Sequence, residues 1–209
     1  CDTTISKVID LTHSIKAEFD PTPDTLCFNN GVNTVNFNSS SAAIDSNFTW
    51  LPVAGYRWQF ADGSTDNSSL TPTHTFTAPG IYPVQLVVSD AMGCEDSVIH
   101  KVFVVDIQVK SFHDTLLCVS QPLALKNEIV TIPAGEWPYK FSWSQSPVVN
   151  LDNDTVQIPN LFGVGLFTDI LTVTIPGVVP DGCPVTNTMV INSVLGKKLQ
   201  KLTVSQTID

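Results

Sequence analysis

Five cysteines are the side chains of this 209-residue sequence with the clearest capacity for chemistry, and they stand at positions 1, 27, 94, 118 and 183. A zinc site needs Cys and His at short, regular spacings, and the chain has neither a C-x-x-C pair nor a histidine close to a cysteine in such a pattern. Disulfide formation is the other common use of several cysteines, and it belongs to oxidising compartments. The cysteines therefore predict a secreted protein.

The cysteine spacing repeats along the chain. The interval from Cys27 to Cys94 nearly equals that from Cys118 to Cys183, and the shorter interval from Cys1 to Cys27 nearly equals that from Cys94 to Cys118. The sequence after Cys1 is similar to that after Cys94, and Asp-Thr-Leu stands just before both Cys27 and Cys118. A repeat with a period of about 90 residues follows. It predicts disulfides Cys27–Cys94 and Cys118–Cys183 inside modules, with Cys1 bonded to a preceding repeat.

Two other interpretations of the cysteines stay open. In the first, which is the alternative to disulfide pairing, some or all of the cysteines are free and buried. In the alternative to a preceding repeat, Cys1 is the modified first residue of a lipoprotein. The chain begins with this cysteine and not with Met, and it shows no signal peptide, so we interpret it as a mature piece.

Other residues that could do chemistry form no enzymatic pattern. The sequence has no G-x-S-x-G, H-E-x-x-H, P-loop or G-x-G-x-x-G motif. The acidic residues are scattered, so no carboxylate pair for glycoside hydrolysis can be assigned. We expect a protein that is not an enzyme, with no catalytic residue, metal or cofactor.

Four tryptophans are the candidates for stacking against sugars. Trp58 and Trp143 alternate with phenylalanines, which indicates strands whose large side chains enter a core. Trp50 and Trp137 stand in loop-like segments beside Pro or Gly. These last two are the candidates for glycan contact, and packing against a neighbouring module is the alternative.

Charge excludes further classes of function. The net charge is −10, the isoelectric point is near 4.5, and Arg57 is the only arginine. Such a chain repels a phosphate backbone, so nucleic acid is not an expected partner. No apolar run approaches the length that a helix needs to cross a bilayer, so membrane insertion is not expected either.

The elements that position these residues are short β-strands. Apolar residues alternate with a period of two, and turn pairs such as Asn-Gly, Asp-Gly and Pro-Gly recur between the runs. We predict an all-β chain of tandem immunoglobulin-like β-sandwiches. The repeat divides it into the last strand of a preceding repeat at 1–12, modules at 13–105 and 106–196, and the first strand of a following repeat at 197–209. The join at 104–107 has no flexible linker composition, which favours a stiff rod.

Four ordered motifs of the first module resemble the PKD domain family. Residues 56–64 (YRWQFADGS) are similar to its WDFGDGS-like signature, and 72–76 (PTHTF) to its PxHxY stretch. Residues 80–86 (GIYPVQL) are similar to its GxYxVxL strand, and 90–94 (DAMGC) to its closing turn. The resemblance implies a PKD-type sandwich over 13–105. The second module keeps fewer of these features and resembles a divergent immunoglobulin-like relative.

Two departures weaken the calcium binding known in some PKD domains. Gln59 stands where the family has its first Asp, and Ala61 where it has its first Gly. Asp62 and Asp66 remain, but two carboxylates fall short of the six or more oxygens that calcium takes. We expect Asp62 to cap its own turn and His74, in the PxHxY-like stretch, to hydrogen-bond within a loop.

PKD modules with an added cysteine pair resemble the tandem arrays of Bacteroidota cell-surface adhesins, in particular SprB-like gliding-motility adhesins and other cargo of the type IX secretion system. That resemblance implies a disulfide-braced surface filament. It also implies O-glycosylation at Asp-Ser/Thr sequons, which here place the modified oxygen on Thr3, Thr25, Ser97, Thr115 and Thr155.

The function predicted is a non-catalytic spacer of a long secreted adhesin at the cell surface, supporting adhesion and gliding motility. Its expected partners are the neighbouring repeats of the same chain, surface polysaccharides, and the outer-membrane secretion and motility machinery. The alternatives are an accessory PKD region of a secreted peptidase or polysaccharide-degrading enzyme, and a glycan-binding module.

Overall fold

The computed structural model of the chain describes residues 14–28, 33–44, 49–111, 116–119, 123–146, 151–161 and 165–195. Over these ranges the regular secondary structure is β-strand apart from a single 3-10 position at Phe28. The all-β fold class predicted from the period-two pattern is confirmed. The end strands expected at 1–12 and 197–209 lie outside the described residues.

The first eleven strands follow one another through the first half of the chain. They are β1 (Ser14–Lys16), β2 (Phe19–Thr22), β3 (Thr25–Cys27), β4 (Thr34–Ser39), β5 (Ala42–Ile44), β6 (Trp50–Leu51), β7 (Gly55–Gln59), β8 (Thr65–Asp66), β9 (Thr73–Thr75), β10 (Gly80–Ser89) and β11 (Glu95–Ser111). The remaining seven are β12 (Leu116–Val119), β13 (Leu123–Ala124), β14 (Asn127–Ile132), β15 (Lys140–Ser146), β16 (Asn160–Leu161), β17 (Gly165–Thr174) and β18 (Val185–Leu195).

These strands belong to two compact units that are not continuous in sequence. The first unit contains the described residues up to Asp106, together with Thr131–Gly135 and Gly177–Cys183. The second contains Ile107–Val130, Glu136–Pro176 and the described residues from Pro184 onward. Modules at 13–105 and 106–196 remain a proposal about repeat boundaries, because a compact unit and a sequence repeat need not share limits.

The first unit packs its sheets around an aromatic core. Antiparallel β10 pairs with β7 on one side and with β11 on the other, while β2-β4-β9 and β1-β5-β6 form two three-stranded sheets. Alternate residues of β10 (Val84, Leu86 and Val88) are fully buried, as the period-two pattern predicts. Trp58 is also fully buried, and its ring meets that of Phe19 edge-on at 4.9 Å.

The second unit has the sheet order β12-β18-β17-β15, with β13 and β16 paired separately. Trp143 is buried on β15, and its Nε1 donates a hydrogen bond of 2.9 Å to the carbonyl of Val156. Trp58 makes the equivalent bond in the first unit, to the carbonyl of Ser69 at 2.9 Å. Both tryptophans are therefore core residues, as the alternation with phenylalanine predicts, and each ties a loop to its core.

Candidate functional site

The polar turn after β7 brings together the residues that the PKD-like signature singles out. Ala61 and Gly63 both have positive φ, at 62° and 95°. The resulting tight turn lets the Ser64 amide and hydroxyl donate to Asp62 Oδ1 at 3.0 and 2.5 Å. Asp62 thus caps its own turn, as predicted.

His74 on β9 completes this cluster from a second segment of the chain. Its Nε2 lies 2.7 Å from Asp62 Oδ2 and 3.4 Å from Ser64 Oγ. Its ring stacks on Phe60 with centroids 4.2 Å apart and meets Phe76 edge-on at 4.8 Å. The cluster is therefore fastened to the aromatic core, and the expectation of a loop hydrogen bond for His74 is confirmed.

Serine, histidine and aspartate lie together here, but their geometry is not that of a nucleophilic triad. A triad orients the imidazole through Nδ1 and leaves Nε2 to the nucleophile. Here the carboxylate and the hydroxyl both face Nε2, and Ser64 Oγ directs its shorter contact to Asp62 rather than to His74. This arrangement holds a turn, and it does not activate a serine.

The carboxylates of the turn are engaged by internal donors. Burial alone would raise the pKa of Asp62, but the side-chain and backbone donors of Ser64, with His74, together lower it below its usual value. The backbone donors of Ser68 and Ser69, with the Ser69 hydroxyl, lower the pKa of Asp66. Both aspartates are therefore structural anions, and in the described ranges no group of three His, Cys, Asp or Glu side chains is gathered as a metal site requires.

The disulfide of the structure corrects the predicted pairing. Cys27 is bonded to Cys183, with Cα atoms 5.2 Å apart, and not to Cys94. Cys94 is exposed and free at the end of the β10–β11 turn. Cys118 consequently has no bond to Cys183. The side chain of Cys118 and the whole of Cys1 lie outside the described residues.

The backbone around Cys27 explains this pairing. The Cys27 amide donates to the carbonyl of Val179 at 2.7 Å, and the Val179 amide donates to the carbonyl of Thr25 at 3.2 Å. The turn Gly177–Cys183 thus extends the pairing of β3 and delivers Cys183 to its partner. Both sulfur-bearing residues are almost fully buried. Cysteine spacing could not distinguish this pattern from the predicted one, because a periodic spacing fits pairing within a repeat and pairing between repeats equally well.

The two tryptophans proposed for glycan contact lie in different units and have different exposure. Trp50 on β6 has 69% of its surface exposed. Trp137 is half-buried in the segment before β15. Exposure therefore favours Trp50 as a stacking platform.

The described O-glycosylation candidates also differ in access. Thr25 is half-buried in β3, Ser97 is exposed on β11, and Thr155 is exposed in the loop between β15 and β16. The Thr155 amide and hydroxyl both bond Asn153 Oδ1, at 2.9 and 2.7 Å. Thr3 and Thr115 lie outside the described residues.

Sequence reasoning missed the turn Gly177–Cys183 as a part of the first unit and the polar pair of the second. Gln145 Nε2 donates to Asp169 Oδ1 at 2.6 Å, and Asp169 is fully buried although it sits in an apolar strand. The signal available was the opposition of two polar residues on β15 and β17, which only the strand register reveals.

The PKD domain family matches residues 29–105, which confirms the resemblance over most of the first module. Among solved structures, the chain is similar to the PKD1 domain of Vibrio anguillarum Epp, with 22% identity and a TM-score of 0.35 over 44% of this chain and 95% of that one. The three N-terminal domains of the bacteriophage RB49 highly immunogenic outer capsid protein match at 14% identity and a TM-score of 0.45, over 86% of this chain and 59% of that one.

The fibronectin(III)-like modules of Clostridium thermocellum CbhA match at 14% identity and a TM-score of 0.34, over 92% of this chain and 100% of that one. Within the described ranges, no helix has the length and apolar character needed to span a membrane.

Proposed function

We propose that the chain is a non-catalytic spacer of a long secreted adhesin at the cell surface, which extends a filament and carries tension along it. The observation that carries this proposal is a parallel ladder in each unit between an opening strand and the closing strand. In the first unit β3 pairs parallel with β11, and in the second β12 pairs parallel with β18.

A parallel ladder between opening and closing strands suits a load applied along the chain. When no disulfide bypasses a unit, tension enters at the start of the opening strand and leaves at the end of the closing strand, so it slides the two strands along each other. All ladder hydrogen bonds then share the load, and they cannot open one at a time as in peeling. A further bond, from the Phe103 amide to the carbonyl of Asp24 at 2.8 Å, extends the ladder of the first unit.

The polar turn supports a role without catalysis. Asp62, Ser64 and His74 have residue types that hydrolysis could use, but they bond one another in a geometry that holds the turn. The disulfide supports an exported setting, since such bonds persist in oxidising compartments. Together with the PKD match and the adhesin resemblance, these features support a cell-surface filament of the kind used in gliding motility and exported by type IX secretion. Neighbouring repeats and the outer-membrane machinery would then be its partners.

The test is an in-frame deletion of residues 13–196 from the exported parent protein in the producing cell. Each unit contains a 10-residue strand, which spans about 33 Å. We expect the surface filament to shorten by tens of ångströms in electron micrographs, the scale set by these strands, while ligand adhesion per filament is retained. Two unrelated sandwich domains of equal length, inserted in place of the deletion, should restore the length.

Loss of peptidase or polysaccharide hydrolysis after the deletion would support the accessory-region alternative and contradict the spacer proposal. So would the absence of any surface filament in the unmodified cell.

Glycan binding is a second candidate because Trp50 has most of its surface exposed. A flat exposed aromatic side chain is a common platform for apolar sugar faces. The chain and its Trp50→Ala and Trp137→Ala variants should be compared on a glycan array. Binding that only Trp50→Ala abolishes supports this function, and absence of binding by the unmodified chain contradicts it.

A further inference from the structure

Cys27 and Cys118 occupy the same place in their units. Cys27 is the third residue of the parallel ladder between β3 and β11, opposite Val105. Cys118 is the third residue of the parallel ladder between β12 and β18, opposite Val194. The equivalence suggested by the sequence repeat is therefore also an equivalence of strand register.

Cys94 and Cys183 occupy a second shared place. Each follows a glycine of positive φ, 85° at Gly93 and 78° at Gly182. Each also ends the turn that joins a 10-residue strand to the closing strand, from β10 to β11 and from β17 to β18. These are the turn positions of the two repeats, as Cys27 and Cys118 are the strand positions.

The bond in the structure joins the strand position of the earlier repeat to the turn position of the later one. The later turn is hydrogen-bonded to β3, and its cysteine is fully buried. In the part of the chain that the structure describes, no opening strand covers the same turn of the earlier repeat: Cys94 is exposed, and the neighbouring Met92 has 77% of its surface exposed. The strand cysteine Cys27 is thus bonded to the turn cysteine of the later repeat, Cys183. The turn cysteine of the earlier repeat, Cys94, is accessible.

We propose that Cys94 is a cross-link site for the strand cysteine of a preceding repeat, and that Cys118 is the corresponding site for the turn cysteine of a following repeat. The proposal rests on the tandem array of the proposed function and adds its covalent connection. Each opening strand would be bonded to the turn of the next repeat, so every repeat would be linked to both of its neighbours.

The bond-forming step is an oxidation. Two thiols lose two protons and two electrons and form one S–S bond, while a disulfide oxidant of the exported compartment, such as oxidised glutathione, is reduced to two thiols. The exposure of Cys94 supplies the access that thiol–disulfide exchange needs. Docking of the preceding repeat would then cover the sulfur and Met92, as the turn Gly177–Cys183 is covered on β3.

Differential alkylation tests the proposal on two samples, the isolated 209-residue chain and the natively exported parent. Iodoacetamide is applied without reductant, the protein is then reduced and treated with an isotopically heavy reagent, and peptides are mapped by mass spectrometry. A separate non-reducing digest identifies linked peptides. Recovery of the Cys27–Cys183 peptide from both samples is the internal control.

In the isolated chain we expect at least tenfold more light than heavy label on Cys94, and in the parent the reverse. The non-reducing digest of the parent should contain Cys94 linked to the upstream cysteine at the position of Cys27. A parent with tandem repeats in which Cys94 still takes the light label, or is linked to Cys118 of the same chain, overturns the cross-link alone. A parent without flanking repeats overturns the proposed function as well, and sequencing of the same peptides reveals which case holds.

Discussion

Stretching the chain from its two ends will show whether the Cys27–Cys183 disulfide controls how far it can extend. In the oxidised protein the continuous covalent path under tension runs from the N-terminus to Cys27, across the sulfur bridge, and from Cys183 to the C-terminus. The residues between them lie outside this path. They cannot be drawn out while the disulfide is intact, even if their strands separate.

The contour length that the disulfide keeps from extending follows from the number of residues between the two bonded cysteines. Cys27 and Cys183 are 156 positions apart. At about 3.5 Å per extended residue, reduction should release about 550 Å of additional contour length. The pairing predicted from the sequence would instead withhold two separate and nearly equal segments, each of about 230 Å.

Single-molecule force spectroscopy with handles at both termini distinguishes these lengths. The expected result is a short total extension without reductant and, after reduction, a gain of about 550 Å at the contour length of an extended chain. The Cys94→Ala variant is the matched control, because its thiol is exposed and unbonded, and it should give the same gain. Full extension of the oxidised chain in the first pull would refute the assigned disulfide and the reasoning built on it. So would two separate increases in contour length of about 230 Å each after reduction.

Three further predictions concern equilibrium stability in guanidinium chloride. Replacing Cys27 and Cys183 together by Ala should lower the free energy of unfolding by up to about 5 kcal/mol, the chain-entropy value for a loop closed across a sequence separation of 156, whereas Cys94→Ala should change it by less than about 0.5 kcal/mol. Trp58→Phe, which loses the bond to a loop carbonyl and some packing volume, should cost about 2–3 kcal/mol, with the exposed Trp50→Phe as a near-neutral control. Asp62 has a folded pKa below its unfolded value, so its stabilising contribution is present above about pH 4 and is lost as the pH falls toward the folded pKa. In a plot of the guanidinium midpoint of unfolding against pH, Asp62→Asn should make the decline at acid pH less steep. An unchanged slope there would contradict the assigned role of Asp62.

The strand pattern of this fold could be predicted because local alternation and burial agree. Val84, Leu86 and Val88 alternate in sequence and are buried together on β10, and the two core tryptophans follow the same rule. A proline inside a strand favours an edge or a bulge, because it has no amide to donate. Pro83 lies in β10, which pairs with β7 only from Gln85 onward, so among the described strands its pairing at the proline is with β11.

The candidate sites were harder to predict from the sequence, because they depend on contacts between segments that are distant along the chain. The turn motif predicted that Asp62 caps itself, but the approach of His74 across β9 needed the sheet register. The disulfide depended on the docking of a turn that lies far from β3 along the chain, and no local pattern encodes that docking. A repeat in sequence establishes which cysteines are equivalent, and it does not establish which of them are bonded.

A bond between repeats, as proposed above, would also change the load that the proposed spacer must resist. A disulfide inside one module would protect that module and leave the joins to hydrogen bonds, each with a net contribution of only about 1 kcal/mol. A bond from an opening strand to the next repeat's turn passes the load around the folded bodies, and leaves in the path only the connecting segments, such as the one from Cys94 to Cys118. Those segments contain closing and opening strands that form the parallel ladders. While the bridges are intact they carry the load in parallel with the ladders, and the ladders resist it in shear only after the bridges are reduced.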